Sequence, residues 1–583
     1  MEKRSVARGR FLGNLNEVLC ADVPRIGFLL PVALEQCEAN FRGSRLGLKQ
    51  TPGYLHRQSR SRRTGDMGRI NSVCSKTTSL RATLVDDWRT RFAPWSPGSW
   101  RYRPAYQLPS YPDPEKLASV EQTIRGYPGL VTPAAIHAFQ EHMAAACLGE
   151  AFIIQGGDCA ETFSGVSLER TASLYHLLTG QAALMLSAGT RRRIIRIGRV
   201  AGQFAKPRSS SIDSDGLSSF RGDIVHSAMA SETARTPDPQ RLIQAYQYAA
   251  ATLEHLETLT RTYRSPKASL ERLHERLTTT DGSKAPALAT AMKHLAQGFN
   301  EDAVVTRSRS ERARGATAAE IAPTVFASHE ALLLPYEESL VRLADEAFPK
   351  GLLNRRASVS SKETNLGKST EPLFYATSGH FLWIGERTRQ LNAAHIEFVR
   401  GISNPIGIKL SGSVTLEELF ALVEMLNPCN TPGRLTLITR MGTSTLQRKL
   451  PSLMAAVRRA GLAVIWMCDP MHANTITVQD SRGQRFKTRD YESIQDELRM
   501  FFEIAAAEGV SAGGVHLEMS GESVTECLGG VTQTQVDDLA RAYHSACDPR
   551  LNYAQALSLA SATGEYLRRT DTVTEPSKSV AST

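Results

Sequence analysis

Short, almost continuously apolar runs recur along this chain, and several end on a residue able to do chemistry. Phe152-Ile-Ile-Gln-Gly-Gly-Asp-Cys159, Leu462-Ala-Val-Ile-Trp-Met-Cys-Asp-Pro-Met-His472 and Gly514-Val-His-Leu-Glu518 are three of them; Pro405-Ile-Gly-Ile-Lys409 and Leu435-Thr-Leu-Ile-Thr-Arg440 are two more. Runs of this kind, short and without polar alternation, are the pattern of strands buried on both faces. Eight strands are predicted, over 151–155, 194–198, 323–328, 380–385, 405–410, 434–440, 462–468 and 513–518. Between the later ones the apolar period lengthens to that of a helix, as in Thr415–Leu426 and Leu450–Ala460. Alternating strands and helices imply parallel pairing through crossovers, and eight such units imply closure into a (β/α)8 TIM barrel. A barrel gathers its strand ends on one face, so residues far apart in sequence converge there.

The same patterning divides the chain. Helices are predicted from Pro114 to about Arg125 and from Pro133 to about Leu148, before the first strand. The gap between the second and third strands is long and holds two further helical stretches, Asp238–Tyr263 and Ser269–Gly298. Arg307–Glu320 reads as a surface loop or ragged helix, and 354–370 as a loop. Residues 88–568 are therefore the expected barrel with accessory helices. Residues 1–87 are an expected basic, disordered extension, and 569–583 an expected disordered polar tail.

Charge changes the picture once it is located. The net charge is +10 over 583 residues. Residues 1–85 hold 15 Lys/Arg and 6 Asp/Glu, a net +9, which leaves the rest of the chain at +1. The barrel is thus close to neutral, and nucleic acid is not an expected partner, because charge on a tail without a binding fold is no footprint. Nine cysteines without regular spacing argue against a disulfide scaffold and fit a reducing, cytoplasmic setting. No apolar run approaches the roughly 20 residues of a membrane span. The basic, Ser-containing segment Gln58-Ser-Arg-Ser-Arg-Arg-Thr-Gly65 leaves plastid or mitochondrial targeting open beside a plain tail or a mis-assigned start.

Candidate chemistry follows from residue types at strand ends. Cys159, His472, Glu518 and Asp548 form a mixed thiolate, imidazole and carboxylate set, suited to a divalent transition metal rather than Mg²⁺ or Ca²⁺. Their spacing matches no finger motif, so the bland alternative of a buried cysteine, a loop histidine and two solvated acids stays open. Arg199, Arg387, Lys409 and Arg440 interrupt or end apolar runs, where a phosphate and a carboxylate would be met by forked and point cations. Lys206, Arg208 and Ser209 form a further basic loop that either holds a phosphate or is a solvated turn.

A specific resemblance is carried by longer motifs. They include Gln155-Gly-Gly-Asp-Cys-Ala-Glu-Thr-Phe163, Arg199-Val-Ala-Gly-Gln-Phe-Ala-Lys-Pro-Arg-Ser209, Arg221-Gly-Asp223 and Arg235-Thr-Pro-Asp-Pro239. Ser328-His-Glu-Ala-Leu-Leu-Leu334, Trp383-Ile-Gly-Glu-Arg-Thr-Arg-Gln390, Asn404-Pro-Ile-Gly-Ile-Lys409 and Leu435-Thr-Leu-Ile-Thr-Arg-Met-Gly442 continue the series. Cys468-Asp-Pro-Met-His472, Lys487-Thr-Arg489, Gly513-Gly-Val-His-Leu-Glu518, Val524-Thr-Glu-Cys527 and Cys547-Asp-Pro-Arg-Leu-Asn552 complete it. In this order, over about residues 95–568, the chain resembles the class II (plant-type) 3-deoxy-D-arabino-heptulosonate 7-phosphate (DAHP) synthases.

The resemblance implies the first step of the shikimate pathway to aromatic amino acids: metal-dependent, aldol-type condensation of phosphoenolpyruvate with erythrose 4-phosphate, with release of phosphate. It implies metal ligation by Cys159, His472, Glu518 and Asp548, with Mn²⁺ or Co²⁺ as cofactor and Fe²⁺ or Zn²⁺ as alternatives. It implies that Arg199, Glu386, Arg387, Lys409 and Arg440 hold phosphoenolpyruvate, with Lys409, Arg440 and Glu386 as the catalytic set. Lys206, Ser209 and Lys487 are the expected grip on the second phosphate. Glu386 is expected to orient Arg387 or the attacking water, and a Cys159–Cys468 disulfide is weighed against burial of Cys468. A homo-oligomer, dimer or tetramer, is implied, with Trp88–Leu148 and Asp238–Gly298 as candidate contacts.

Departures from the family pattern keep alternatives in view. Arg221-Gly-Asp223 is followed by Ile-Val-His-Ser-Ala-Met-Ala, where an Asn-Gly segment is usual, and Lys409 is followed by Leu-Ser-Gly-Ser in place of Val-Gly-Pro-Ser. The basic stretch between Gly298 and Thr324 is also altered. A diverged paralogue acting on a related aldose phosphate, or a non-catalytic regulatory paralogue, is the alternative reading.

Overall fold

In the computed structural model the strand–helix alternation closes on itself. The structure describes residues 94–213, 216–279, 285–298, 321–344 and 372–573. The N-terminal extension, the Arg307–Glu320 stretch, the 354–370 loop and the residues after 573 lie outside the described residues. In chain order the elements are α1 (Pro114–Arg125), α2 (Pro133–Cys147), β1 (Ala151–Gly157), α3 (Leu168–Ser187), β2 (Arg193–Arg199), α4 (Gln240–Thr262), α5 (Lys267–Thr279) and α6 (Pro286–Gly298). There follow β3 (Ile321–Glu330), α7 (Leu334–Ser339), β4 (Val341–Leu343), β5 (Phe374–Ala376), β6 (Phe381–Ile384), α8 (Ala394–Gly401), β7 (Ile406–Leu410), α9 (Leu416–Leu426), β8 (Leu435–Thr439) and α10 (Thr443–Arg459). The chain finishes with β9 (Ile465–Cys468), β10 (Thr475–Gln479), β11 (Arg485–Arg489), α11 (Tyr491–Ala507), β12 (Ala512–Glu518) and α12 (Tyr553–Val573).

The barrel order is β1-β12-β9-β8-β7-β6-β3-β2, with every neighbouring pair parallel. All eight expected strands are barrel strands. Helix starts are set locally. Asp113, Thr132, Ser167, Thr415 and Asp490 each accept a backbone N–H of the first turn through the side chain, and Pro114 and Pro133 occupy the position that needs no donor.

Strand parity decides what faces where. Ile153, Ile195, Ile197, Phe326, Phe381, Trp383, Ile438, Ile465 and Met467 pack in one inner cluster. Phe152, Ile154, Ile194, Leu382, Ile406, Ile408, Leu437, Trp466, Cys468, Val515 and Leu517 belong to the outer cluster against the helices. Helix α2 plugs the N-terminal end of the barrel, with the Phe139 ring 4.5 Å from that of Phe326. Period two then places Gln155, Arg199, Ser328, Lys409, Arg440, His516 and Glu518 on the inner parity, toward the opposite, C-terminal end.

Four details differ from the sequence reading. The stretch Ser269–Gly298 holds two helices, α5 and α6, and Pro286 stands at the first position of the second, where a missing N–H needs no partner. Helix α10 begins at Thr443, before the predicted Leu450, because Gly442 turns the chain at φ +73° and the polar Thr-Ser-Thr start hides the first turn. The antiparallel pairs β4–β5 and β10–β11 stand outside the barrel and were not predicted. The helical register runs past Arg569 to Val573: the Asp571 carboxylate accepts from Arg192 Nε (2.8 Å) and Thr190 Oγ1 (2.7 Å), tying the helix end to the start of β2. Among the described residues no helix is long and apolar enough to cross a membrane.

Candidate active site

A cavity of about 460 Å³ opens at the C-terminal mouth of the barrel. Arg199, Lys206, Ser209, Glu386, Arg387, Lys409, Arg440, His472, Lys487 and Asp548 line it, and Cys159 and Glu518 lie fully buried beside them. Twelve of the residues singled out from sequence therefore meet at one place, contributed by seven barrel strands or the loops that follow them and by the β10–β11 hairpin.

A hydrogen-bonded chain fixes the floor. Gln155 Nε2 donates to Ser328 Oγ (2.9 Å), which donates to Gly198 O (2.8 Å). Gln155 Oε1 meets His516 Nδ1 at 2.7 Å, and the other His516 nitrogen meets the Arg199 guanidinium. Arginine only donates, so His516 accepts at Nε2 and donates from Nδ1, which makes it the neutral tautomer. Burial, with Lys409 and Arg199 nearby, holds its pKa well below the ordinary range. Arg199 also donates to Asp158 O (3.0 Å) and Cys159 O (3.2 Å), and its guanidinium lies 5.1 Å over the Trp383 ring. It is a rigid cation before any ligand arrives.

The ligand atoms of Cys159, Glu518 and Asp548 lie within 4.8 Å of one another. His472 Nε2 is 3.0 Å from Glu518 Oε1, while its Nδ1 is 2.7 Å from Asp469 Oδ2. A carboxylate behind an imidazole orients a metal-binding histidine in just this way. The cluster is built around positive charge: Lys206 Nζ sits 2.9 Å from Cys159 Sγ, 3.1 Å from Glu518 Oε1 and 2.7 Å from Asp548 Oδ2. That ammonium stands where a cation would, and the donor set fits a divalent transition metal. Burial pushes the Glu518 carboxyl up, but His472, Lys206 and Arg489 outweigh it and hold it well below its usual range. Burial, the Cys547 thiol and the neighbouring carboxylates push the Cys159 thiol well up. A thiolate at Cys159 therefore calls for a cation beside it.

The remaining residues are distributed less evenly than expected. Lys206, expected with Ser209 and Lys487 on a second phosphate, is instead among the acidic groups. Ser209 and Arg208 line the cavity, and Lys487 does so while pairing with Asp548. Glu386 does not hold Arg387. It accepts from Arg389 Nη2 (2.8 Å), the Ser411 N–H (2.8 Å) and the Ser411 hydroxyl (2.8 Å), which leaves Arg387 an exposed arm. The Ser411 hydroxyl belongs to the divergent Leu-Ser-Gly-Ser run, so that departure is used to clamp Glu386. Lys409 is buried against Asp469; burial lowers its pKa to about 8 despite that partner. Arg440 donates to His472 O (3.2 Å), and its Nε is buried without a partner. The other divergent segment, 224–230, contributes nothing to the cavity lining.

Three contributors in contact with the expected metal ligands escaped the sequence reading. Asp469 joins Lys409 to His472. Arg489, fully buried, donates to Glu518 Oε2 at 2.7 Å. Cys547 hydrogen-bonds to Cys159, and that bond lowers the Cys547 pKa. Each stands within three residues of a chosen residue in one of the motifs, the only signal available. Cys468, weighed as a disulfide partner for Cys159, is a free thiol in the outer cluster, on the helix side of β9.

Gly222 sets the loop that carries Lys206. It has φ +103°, and a Cβ there would lie 1.9 Å from Phe204 O. Lys206 N–H donates to Arg221 O at 2.9 Å, so the two segments are locked together. Gly222→Ala is expected to destabilise the protein by about 1–3 kcal/mol and to depress turnover with it; a thermal melt and an assay on the same preparation check this.

A family model described as the class-II DAHP synthetase family matches residues 95–563. Phospho-2-dehydro-3-deoxyheptonate aldolase AroG of Mycolicibacterium smegmatis is 40% identical over 472 residues, covering 80% of this chain and 93% of that one. The phospho-2-dehydro-3-deoxyheptonate aldolase of Streptomyces coelicolor is 39% identical over 480 residues, covering 82% and 98%. A solved phospho-2-dehydro-3-deoxyheptonate aldolase from Francisella tularensis superposes with a TM-score of 0.39 at 12% identity, covering 79% of this chain and 94% of that one.

Proposed function

The chain belongs to the class-II DAHP synthetase family, and on that premise we propose how its barrel mouth divides the work of the reaction. It is a DAHP synthase: phosphoenolpyruvate, erythrose 4-phosphate and water give the seven-carbon keto acid phosphate and inorganic phosphate. The observation that carries the assignment of residues is the meeting of Cys159, Glu518 and Asp548 within 4.8 Å beneath a wall of cations in one cavity.

Cys159, His472, Glu518 and Asp548 would hold the divalent metal, a mixed soft and hard set that suits Mn²⁺, Co²⁺, Fe²⁺ or Zn²⁺ better than Mg²⁺ or Ca²⁺. A metal bound there would polarise the aldehyde oxygen. Arg199, Lys409, Arg440 and Arg387 take the carboxylate and phosphate of phosphoenolpyruvate. Fixed in advance by His516, Asp469 and the His472 carbonyl, the first three supply positioning and charge neutralisation without reorganising. Ser209, Arg208 and Lys487, at the rim, take the phosphate of the aldose. C3 of phosphoenolpyruvate bonds to the aldehyde carbon, water adds at C2, and the C2–O bond to phosphate breaks. Glu386, clamped by Arg389 and Ser411, lines this volume and is the proposed acid–base group there. Lys409 holds a proton on the same substrate. The accessory helices α1, α2 and α4–α6 are proposed to carry the oligomer contacts.

The test is phosphate release from phosphoenolpyruvate by metal-stripped protein. Release is expected only when Mn²⁺ or Co²⁺ and erythrose 4-phosphate are both present; metal-independent or aldehyde-independent release contradicts the proposal. Lys409 adds a pH signature. Its ammonium is lost as pH rises through about 8, so kcat/KM for phosphoenolpyruvate is expected to fall there. Bound dianion favours the ammonium, so the kcat limb is expected at higher pH. Lys409→Arg should abolish the limb, at reduced activity; an unchanged limb in that variant removes Lys409 from the role.

A further inference from the structure

Glu330, the last residue of β3, is a cavity-lining carboxylate that neither the metal cluster nor the Arg389–Ser411 clamp uses; Asp213, which also lines the cavity, accepts from the Leu217 N–H at 3.0 Å. Glu330 Oε1 is sealed from solvent and bonded to nothing, and among the described residues no donor or cation pairs with either oxygen. The side chain is nonetheless placed with care. Its backbone N–H donates to Gln203 Oε1 at 2.9 Å, and the carboxylate rests against Gly385, where a Cβ would lie 2.1 Å from Oε1. Phe326 and Gly385 lie on the inner parity of their strands, so Glu330 points into the barrel mouth with Arg199 and Lys409. A carboxylate held this way, without a donor, is costly unless a ligand brings one.

The chemistry of the two substrates narrows which ligand that is. Phosphoenolpyruvate carries a carboxylate and a phosphate and, fully ionised, has no hydrogen-bond donor; a fixed carboxylate can only repel it. The aldose phosphate brings two hydroxyls, at C2 and C3. We infer that Glu330 accepts a hydrogen bond from a hydroxyl of the aldose phosphate and so sets the enzyme's preference among aldehydes. The inference rests on the proposed reading of this cavity as the joint site of phosphoenolpyruvate and an aldose phosphate. Burial raises the Glu330 pKa, while Lys206, Lys409, His472 and Arg199 pull it back toward the charged, accepting form. A fixed acceptor binding a hydroxyl discriminates strongly against a substrate that lacks it, because the acceptor is then left unpaired.

The experiment compares erythrose 4-phosphate with its 2-deoxy and 3-deoxy analogues, in the Mn²⁺-loaded wild type, Glu330→Ala and Glu330→Gln, with phosphoenolpyruvate affinity measured separately by calorimetry. Wild type is expected to lose about tenfold or more in kcat/KM with one deoxy analogue. Glu330→Ala is expected to lose a similar factor with erythrose 4-phosphate, to match wild type on that analogue, and to bind phosphoenolpyruvate within threefold of wild type. Glu330→Gln, nearly isosteric, should fall between them, and it carries the test if the alanine variant does not fold. Equal losses of kcat with all three aldehydes would overturn the inference and point to a role on the attacking water. Equal turnover of all three by wild type would also overturn it. Failure of wild type to bind phosphoenolpyruvate would sink the reading of the cavity itself.

Discussion

Replacing Cys159 with alanine is expected to leave a folded barrel and to lower metal-supported phosphate release by at least about a thousandfold. Loss of an outer partner of a metal ligand already costs on the order of 10–100-fold, and Cys159 is proposed as a ligand itself. The residue is fully buried, and its sulfur accepts from Lys206 Nζ and from the Asp548 N–H at 3.2 Å. Alanine removes one small atom at the end of a strand, not a core side chain, so stability should change little beside activity. Lys206 then faces Glu518 and Asp548 only. Raising Mn²⁺ into the millimolar range should not restore wild-type turnover. Full recovery at high Mn²⁺ would mean that the remaining three residues suffice and that the thiol is a spectator.

The second large effect is on stability. Arg489→Met is expected to cost about 3 kcal/mol, seen as a lower urea midpoint at unchanged slope. Arg489 and Glu518 are both fully buried, 2.7 Å apart, and Arg489 also donates to Pro549 O and to Thr475 Oγ1 (3.3 Å). Breaking a buried pair leaves its partner uncompensated, which typically costs about 3–5 kcal/mol. The lower end applies here, because Arg199 and Lys206 still face the other Glu518 oxygen at 3.2 and 3.1 Å. Arg489→Lys should recover only part of the loss, since one ammonium cannot span Glu518, Pro549 and Thr475 as a planar fork does. A midpoint equal to wild type in Arg489→Met would show that the pair contributes nothing net.

These two residues also mark what a sequence can and cannot disclose. Cys159 was legible because it ends a buried run, and a barrel has one functional end. The same logic reached Arg199, Lys409, Arg440 and Glu518: buried parallel strands are written as apolar runs, and a polar residue of inner parity near the C-terminal end has nowhere else to point. Arg489 was not legible. It sits on β11, half of a short antiparallel hairpin outside the barrel, and nothing in a local pattern says that a hairpin residue will fold back onto Glu518. Lys206 was read from its loop as a phosphate ligand, and the pairing of Lys206 N–H with Arg221 O, which turns that loop inward, is a contact between separate segments. Asp469 stood in plain view before His472, yet its role depends on Lys409, contributed by a strand two places away in the barrel. Helix ends failed where glycine, proline or polar first turns blurred the period, as at α5–α6 and α10. Pattern reports burial and direction; pairing across elements comes only with the fold.

The central claim is that Cys159 and the three residues around it bind one metal. Its most direct test is the absorption and X-ray absorption spectrum of the Co²⁺-loaded protein, wild type against Cys159→Ala. One sulfur in the metal's shell, with a thiolate charge-transfer band, both absent from the variant, is the predicted result. A shell of nitrogen and oxygen alone in wild type, or a spectrum unchanged by the substitution, would contradict the account.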